Sequence, residues 1–185
     1  MGIVKKSIHQ KKMDKSKFKI RPWEMSDIDS LVKYANNWNV AKNMTDKFPH
    51  PYTENDGKAF IEFATKVVPI HLFAIDIDGK AIGGIGIHPQ NDIQRNNAEL
   101  GYWLAEPFWG QGIISNAIKQ MVDFAFTTYD INRVFAIPFG TNIASQKVLE
   151  KNNFILEGKF NKVLIKNGEL LDELIYAIRH ENWKK

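Results

Sequence analysis

At 185 residues, 44% of them hydrophobic, the chain is long enough for one domain with a continuous core and short for two. No apolar run approaches the roughly 18 residues that a membrane-spanning helix requires, and the beginning of the chain is rich in lysine rather than apolar, so a cytoplasmic protein without a membrane partner is expected. The absence of cysteine excludes disulfides, thiolate metal sites and a cysteine nucleophile, and the net charge of +4 invites a nucleic-acid reading that depends on where the charge lies.

Residues 1–19 carry seven lysines against Asp14 alone, which leaves 18 basic and 20 acidic residues in the remainder. The body is therefore mildly acidic. Residues 1–16 read as a basic, solvated, mobile tail, with contact to RNA or the ribosome as the functional alternative, and residues 17–185 as the folded domain. Phe18 to Arg21 alternates apolar and polar residues before Pro22, a first strand and a turn. Ser26 is placed to cap a helix with Ile28, Leu31, Val32 and Ala35 at helical spacing, and a second helical piece is expected over Val40–Met44. Phe48-Pro49-His50-Pro51-Tyr52 reads as a loop near the substrate, and Thr53 as the cap of a helix carrying Ala59, Phe60, Phe63 and Val67. Leu72–Ile77 and Ala81–Ile87, joined by Asp78-Gly79, have the pattern of a β-hairpin.

A further strand is expected over Ala98–Leu104, followed by a glycine-bearing turn and a long amphipathic helix to about Phe126. Arg133–Ile137 reads as a strand and Asn142–Lys151 as a helix. A strand from Phe154, a turn at Asn167-Gly168 and a last strand near Glu173–Ile178 complete the order. This succession predicts an α/β fold of the α+β mixed-sheet kind, with about six to seven twisted, largely antiparallel strands and helices on both faces.

Two segments carry the chemistry. Pro107-Phe108-Trp109-Gly110-Gln111-Gly112-Ile113-Ile114-Ser115 sets two glycines just ahead of a helix. Backbone amides there can approach an anion closely, and the helix N-terminus adds unpaired N–H groups and a positive dipole end. Alone, this pattern is also that of an ordinary turn, and it lacks the third glycine of a dinucleotide fingerprint and the Lys-Ser/Thr ending of a Walker loop. The second segment runs from Asn142 through Ser145, Leu149 and Glu150 to Phe154.

Taken together, Glu99-Leu100-Gly101-Tyr102-Trp103-Leu104, Trp109-Gly110-Gln111-Gly112, Asn142-x-x-Ser145 and Val148-Leu149-Glu150-Lys151-x-x-Phe154 resemble the acetyl-CoA motifs of the GNAT superfamily of N-acyltransferases, in its RimJ/RimL-type branch. The resemblance spans residues 17–180. It implies an N-acetyltransferase in which a neutral amine attacks the thioester of acetyl-CoA directly. In that scheme the backbone of Tyr102, Trp103 and Leu104 pairs with the pantetheine arm, Trp109, Gly110, Gln111, Gly112, Ile113, Ile114 and Ser115 hold the pyrophosphate, and Asn142 bonds the pantetheine. The Leu104 N–H is the implied oxyanion donor. Three positions depart from the family pattern: Ile114 where Gly or Ala is usual, Asn153 where Gly is usual, and Leu149 where many relatives carry a tyrosine that protonates the thiolate. Asn153 suits a left-handed helix end.

Glu99 is the expected base, since burial beside Tyr102 and Trp103 would raise its pKa, with substrate orientation as its alternative role. Ser145, on the same helix face as Asn142 and Leu149, replaces the missing tyrosine as thiolate acid, or else only bonds the CoA arm. His50, His71 and His88 lack metal-ligand spacing and no metal is expected. Trp23, Trp38, Trp103, Phe48 and Tyr52 divide between core and acceptor pocket, Asp172 is a weaker contender for the amine, and the acidic run Glu169–Glu173 reads as a solvated face. The resemblance favours a protein N-terminal α-amine as acceptor. A small amine such as a polyamine, amino acid or aminoglycoside, a non-catalytic acyl-CoA-binding module, and an RNA-binding protein using the lysine tail are the alternatives. A monomer or a homodimer through the final strand is expected.

Overall fold

The structure, a computed structural model, describes residues 18–183; the basic tail expected over residues 1–16 lies outside the described residues. The first strand, β1 (Lys19–Pro22), ends at a residue with no N–H to offer a ladder. The helix expected to start at Ser26 is entered differently. A single 3-10 turn, Met25–Asp27, comes first, with a capping box made by Glu24 and Asp27. Asp27 accepts the Glu24 N–H at 3.0 Å while the Arg21 guanidinium grips the same carboxylate at 2.7 and 2.8 Å. Ser26 lies inside this turn and so is not placed to cap α1, whose N-cap is Asp27; its Oγ donates instead to Glu24 at 3.3 Å.

The helix α1 (Ile28–Ala35) follows. α2 (Trp38–Ala41) begins earlier than Val40 because the Asn37 side chain accepts the Asn39 and Val40 amides. α3 (Glu54–Lys66) starts at the capping box of Thr53 and Asp56. It buries Gly57, Ile61 and Ala64 and leaves Phe63 exposed, so its core face is rotated from the expected one. It ends before Val67, and Val68 precedes Pro69, which disfavours helical backbone at that residue.

Six more strands complete the sheet: β2 (Leu72–Ile77), β3 (Lys80–Pro89), β4 (Asn97–Leu104), β5 (Arg133–Ala136), β6 (Ile155–Lys166) and β7 (Glu169–Arg179). Between them lie α4 (Ile113–Thr128) and α5 (Ile143–Lys151), and α6 (His180–Trp183) follows β7. The order across the sheet is β1-β2-β3-β4-β5-β7-β6, antiparallel throughout except for the parallel pair β4 and β5. The mixed, mostly antiparallel α/β architecture is the one expected.

Strand alternation sorts side chains onto two faces. Ile85, Ile87, Leu100, Leu104, Val134 and Ile178 pack with Ile118, Met121 and Val122 of α4 and Leu149 of α5. Leu72, Ala74 and Trp103 pack on the opposite face with Trp23, Leu31 of α1, Tyr52 and Ile61 of α3. Arg21 stitches this second layer to the sheet, meeting Asp27 and, on β2, Asp76 at 2.7 Å, both carboxylates being buried.

The feature that makes room for a site is the short life of the parallel pair. β4 stays paired with β3 from Pro89↔Ala98 to Gly83↔Leu104, yet meets β5 only over Asn97–Glu99 and Arg133–Phe135. Beyond β5 the chain follows β7 instead: Pro138 O accepts the Leu174 N–H and the Gly140 N–H donates to Asp172 O. β4 and β5 therefore part after Glu99, and the far half of β4 presents an edge inside the sheet.

Candidate active site

The edge lines a cleft of about 540 Å³. Its walls are Glu99–Leu104 of β4, Ala136–Phe139 at the end of β5, the turn before α4, the first turns of α5, and Asn39–Thr45 around α2. The backbone along β4 alternates. Ala105 N–H donates across to Ile82 O at 2.8 Å, on the β3 side, so its neighbour Leu104 directs N–H and C=O to the cleft side. The Leu104 carbonyl is met there by Trp109 Nε1 at 2.7 Å, which pins the glycine-bearing turn to the strand end. The Leu104 N–H is thus aimed into the gap.

Gly112 is the N-cap of α4 with φ of 78°, and Gly110 has φ of 71°. Both lie in the left-handed region that glycine enters without a Cβ penalty. No side chain caps α4. The first helical bond runs from Asn116 N–H to Gly112 O, so the amides of Ile113, Ile114 and Ser115 have no partner within the helix. Gly110, Gly112, Ile113 and Ile114 line the cleft. Of the residues expected on this loop, Gln111 and Ser115 do not: Gln111 donates to Pro107 O, and the buried Ser115 hydroxyl accepts from Asn152 at 3.0 Å, tying α4 to the end of α5. Ile114 packs partly against the core beneath. Asn153 takes φ of 63°, the left-handed helix end its side chain tolerates.

Asn142 is the N-cap of α5, its side-chain oxygen accepting the Ser145 N–H at 3.2 Å. Its amide group is left to donate toward the cleft it lines. Ser145 Oγ sits 2.7 Å from Tyr102 Oη, a bond between α5 and β4 across 43 positions of sequence. Burial pushes the Tyr102 phenol up to about 12, the serine bond acting in the opposite sense. Leu149 is fully buried in the core below.

Glu99 lies at the fork, half-buried, its carboxyl raised above the usual range first by burial and then by Glu173. The registers of β4 with β5 and β5 with β7 put Glu99, Phe135, Ala177 and Glu173 on one face of the sheet. Glu173 had read as part of a solvated acidic run. Its nearness to Glu99 depends on β7 pairing beside β5, which no local pattern announces. Asp172 is engaged otherwise, bound to Lys159 at 3.1 Å and to the Lys162 N–H at 2.9 Å. His88 stands directly opposite Glu99 in the β3–β4 ladder, with the His71 ring 5.5 Å away, and burial followed by His71 lowers its pKa. Trp23, Trp103 and Tyr52 are core residues, Phe48 meets Trp103 edge-on and Tyr52 at a tilt, and Trp38 is half exposed against His50. Among the described residues no group of three or more His, Cys, Asp or Glu could hold a metal ion, and no helix is long and apolar enough to cross a membrane.

The arrangement joins an anion-binding helix start, an inward-facing strand amide and a carboxyl of raised pKa along one cleft, the parts that acyl transfer needs. A family model described as an acetyltransferase (GNAT) domain matches residues 17–155. The chain therefore belongs to the GNAT acetyltransferase family and is an acyltransferase, similar within it to the RimJ/RimL-like branch. YdaF of Bacillus subtilis (strain 168), provisionally named a ribosomal N-acetyltransferase, is 35% identical over 107 residues, which span 58% of each chain. The spermidine N(1)-acetyltransferase of Escherichia coli (strain K12) is 24% identical over 158 residues, covering 82% of this chain and 80% of that one. The solved structure of RimL, a ribosomal L7/L12 α-N-protein acetyltransferase in complex with coenzyme A, superposes with a TM-score of 0.76 at 23% identity, covering 89% of this chain and 94% of that one. At that identity the likeness is one of fold.

Proposed function

We propose that the protein transfers the acetyl group of acetyl-CoA to a primary amine, with the N-terminal α-amine of a protein as acceptor. The observation that carries this reading is the parting of β4 from β5, which leaves the Leu104 N–H facing a cleft that begins at the Gly110–Ser115 helix start and ends at Glu99. The residues fit the cofactor. Two left-handed glycines and the unbonded amides of α4 suit a pyrophosphate, and the β4 edge suits the amide groups of a pantetheine arm. When bound, acetyl-CoA supplies the thioester on which the amine acts.

Glu99 takes the proton of the incoming amine, a task favoured by its raised pKa. The Leu104 N–H receives the developing oxyanion; a preorganised donor of this kind is worth roughly 3–4 kcal/mol. Ser145, at the cleft wall of α5, is assigned to the departing sulfur. The protein acceptor is supported by the names of the YdaF and RimL relatives.

A second acceptor class has its own observation. Glu99 and Glu173 set two carboxylates on one sheet face, an arrangement that suits a polyamine with more than one cation. Thiol release measured with acetyl-CoA against N-terminal peptides and against polyamines separates the two. Turnover with peptides alone supports the proposal, and turnover with polyamines alone replaces its acceptor.

A further inference from the structure

The Tyr102 hydroxyl belongs to a strand whose backbone, rather than its side chains, was expected to matter. It approaches Ser145 Oγ to 2.7 Å, a normal O–H···O bond. Both residues line the cleft, together with Leu104 and Asn142. Either hydroxyl could formally donate, and their acidities decide between them. Tyr102 packs against the apolar cluster beneath the sheet, and Ser145 Oγ is its hydrogen-bond partner among the described residues. If the phenol donates, every group is served: Ser145 Oγ accepts with one lone pair, and its own hydrogen is free to turn into the cleft. The phenol is also the more acidic hydroxyl and so the better donor.

We propose that Tyr102 is a positioning residue that donates to Ser145 and thereby turns and polarises the serine O–H toward the leaving sulfur of acetyl-CoA. This rests on the acetyl-transfer reading and on the assignment of Ser145 above. In the step concerned, the amine lone pair forms the N–C bond and the C–S bonding pair passes to sulfur. The ammonium proton goes to Glu99, the Ser145 O–H bonds to the developing thiolate, and sulfur takes its proton from water as the thiol leaves; Glu99 then returns its proton to solvent, neutralising the hydroxide so formed. Tyr102 itself neither gains nor loses a proton. Bonded chains of hydroxyls polarise one another, so the effect of the phenol is delivered only through the serine.

The test is steady-state kinetics on Tyr102→Phe, Ser145→Ala and the double variant, with acetyl-CoA affinity measured by calorimetry. Tyr102→Phe should lower kcat by about tenfold with KM for acetyl-CoA within about twofold, since the lost contact acts as bonds change and not on binding. The double variant should be no slower than Ser145→Ala, because two residues acting through one contact are not additive. A purely structural tyrosine would instead raise KM and give multiplicative losses, and either result overturns the proposal. Full kcat in Tyr102→Phe beside a slow Ser145→Ala overturns it while sparing the serine assignment; full kcat in Ser145→Ala overturns both. Should Tyr102→Phe fail to fold, site-specific incorporation of a fluorinated tyrosine at position 102 keeps the shape and strengthens the donor, so kcat must hold or rise. A fall would count against the proposal.

Discussion

Glu173 lies on the same surface of the sheet as Glu99, and its charge acts on the Glu99 carboxyl. The neighbour disfavours the ionised form of Glu99, adding to the effect of burial. As the proposed base Glu99 must be ionised, so kcat/KM should fall as pH drops through its raised pKa. Glu173→Gln removes the neighbouring charge, makes ionisation easier and lowers that pKa. The acid limb of the pH profile should therefore move to lower pH in the variant; an unmoved limb would detach the limb from this pair. Glu99→Gln should reduce kcat by about 10²-fold or more and leave acetyl-CoA affinity unchanged, which calorimetry and thiol release check together. At this scale the sequence was informative about which residue types the chemistry needs and uninformative about their company. Glu99, Asn142 and Ser145 stand in recognisable motifs. The partners Tyr102 and Glu173 meet them only through strand pairing and helix packing, and Ser26 is no cap because it lies within the 3-10 turn Met25–Asp27.

The decisive element is the turn from Leu104 into α4. Trp109 fixes it to the strand, Gly110 and Gly112 give it backbone that other residues enter at a cost, and Ser115 with Asn152 fixes the helix behind it. Gly112→Asp sets a carboxylate and a strained φ where an anion is to bind, so acetyl-CoA affinity should drop by about tenfold or more. Unchanged affinity in a folded variant would dissociate this turn from the pyrophosphate. Elements were legible where their signals are local: the Thr53 cap, the Asp78-Gly79 and Asn167-Gly168 turns, and the strand-like runs of β2 to β4. β7 reaches back to Glu169, beyond the expected start near Glu173, because its hairpin partner β6 pairs with it as far as Lys166↔Glu169. The face of α3 was misplaced because Phe63, apolar yet exposed, looked like core.

Across the whole molecule, the division of labour is between a closed half and an opened half of one sheet. β1 to β3 carry the α1–α3 layer, and the Arg21 bridge between Asp27 and Asp76 holds that layer down. Arg21→Met would strand two buried carboxylates, which costs about 3–5 kcal/mol. For a protein of this size that corresponds to a loss of about 10 °C in Tm, measured by calorimetric melting. A shift within error would show the bridge to be replaceable. The opened half follows from β5 turning away to β7. The order of strands and the place where they part are long-range facts, which is why the α/β class was readable from element order and the cleft itself was not.

The proposed function requires that cleft to be an acetyl-CoA site with a reacting amine at its end. Calorimetric titration of the full chain with acetyl-CoA, followed in the same samples by thiol release with N-terminal peptides, tests both parts directly. Saturable binding that Gly112→Asp weakens, with peptide-dependent release that Glu99→Gln abolishes, is the result predicted. No binding of acetyl-CoA, or binding that Gly112→Asp leaves untouched, would contradict it.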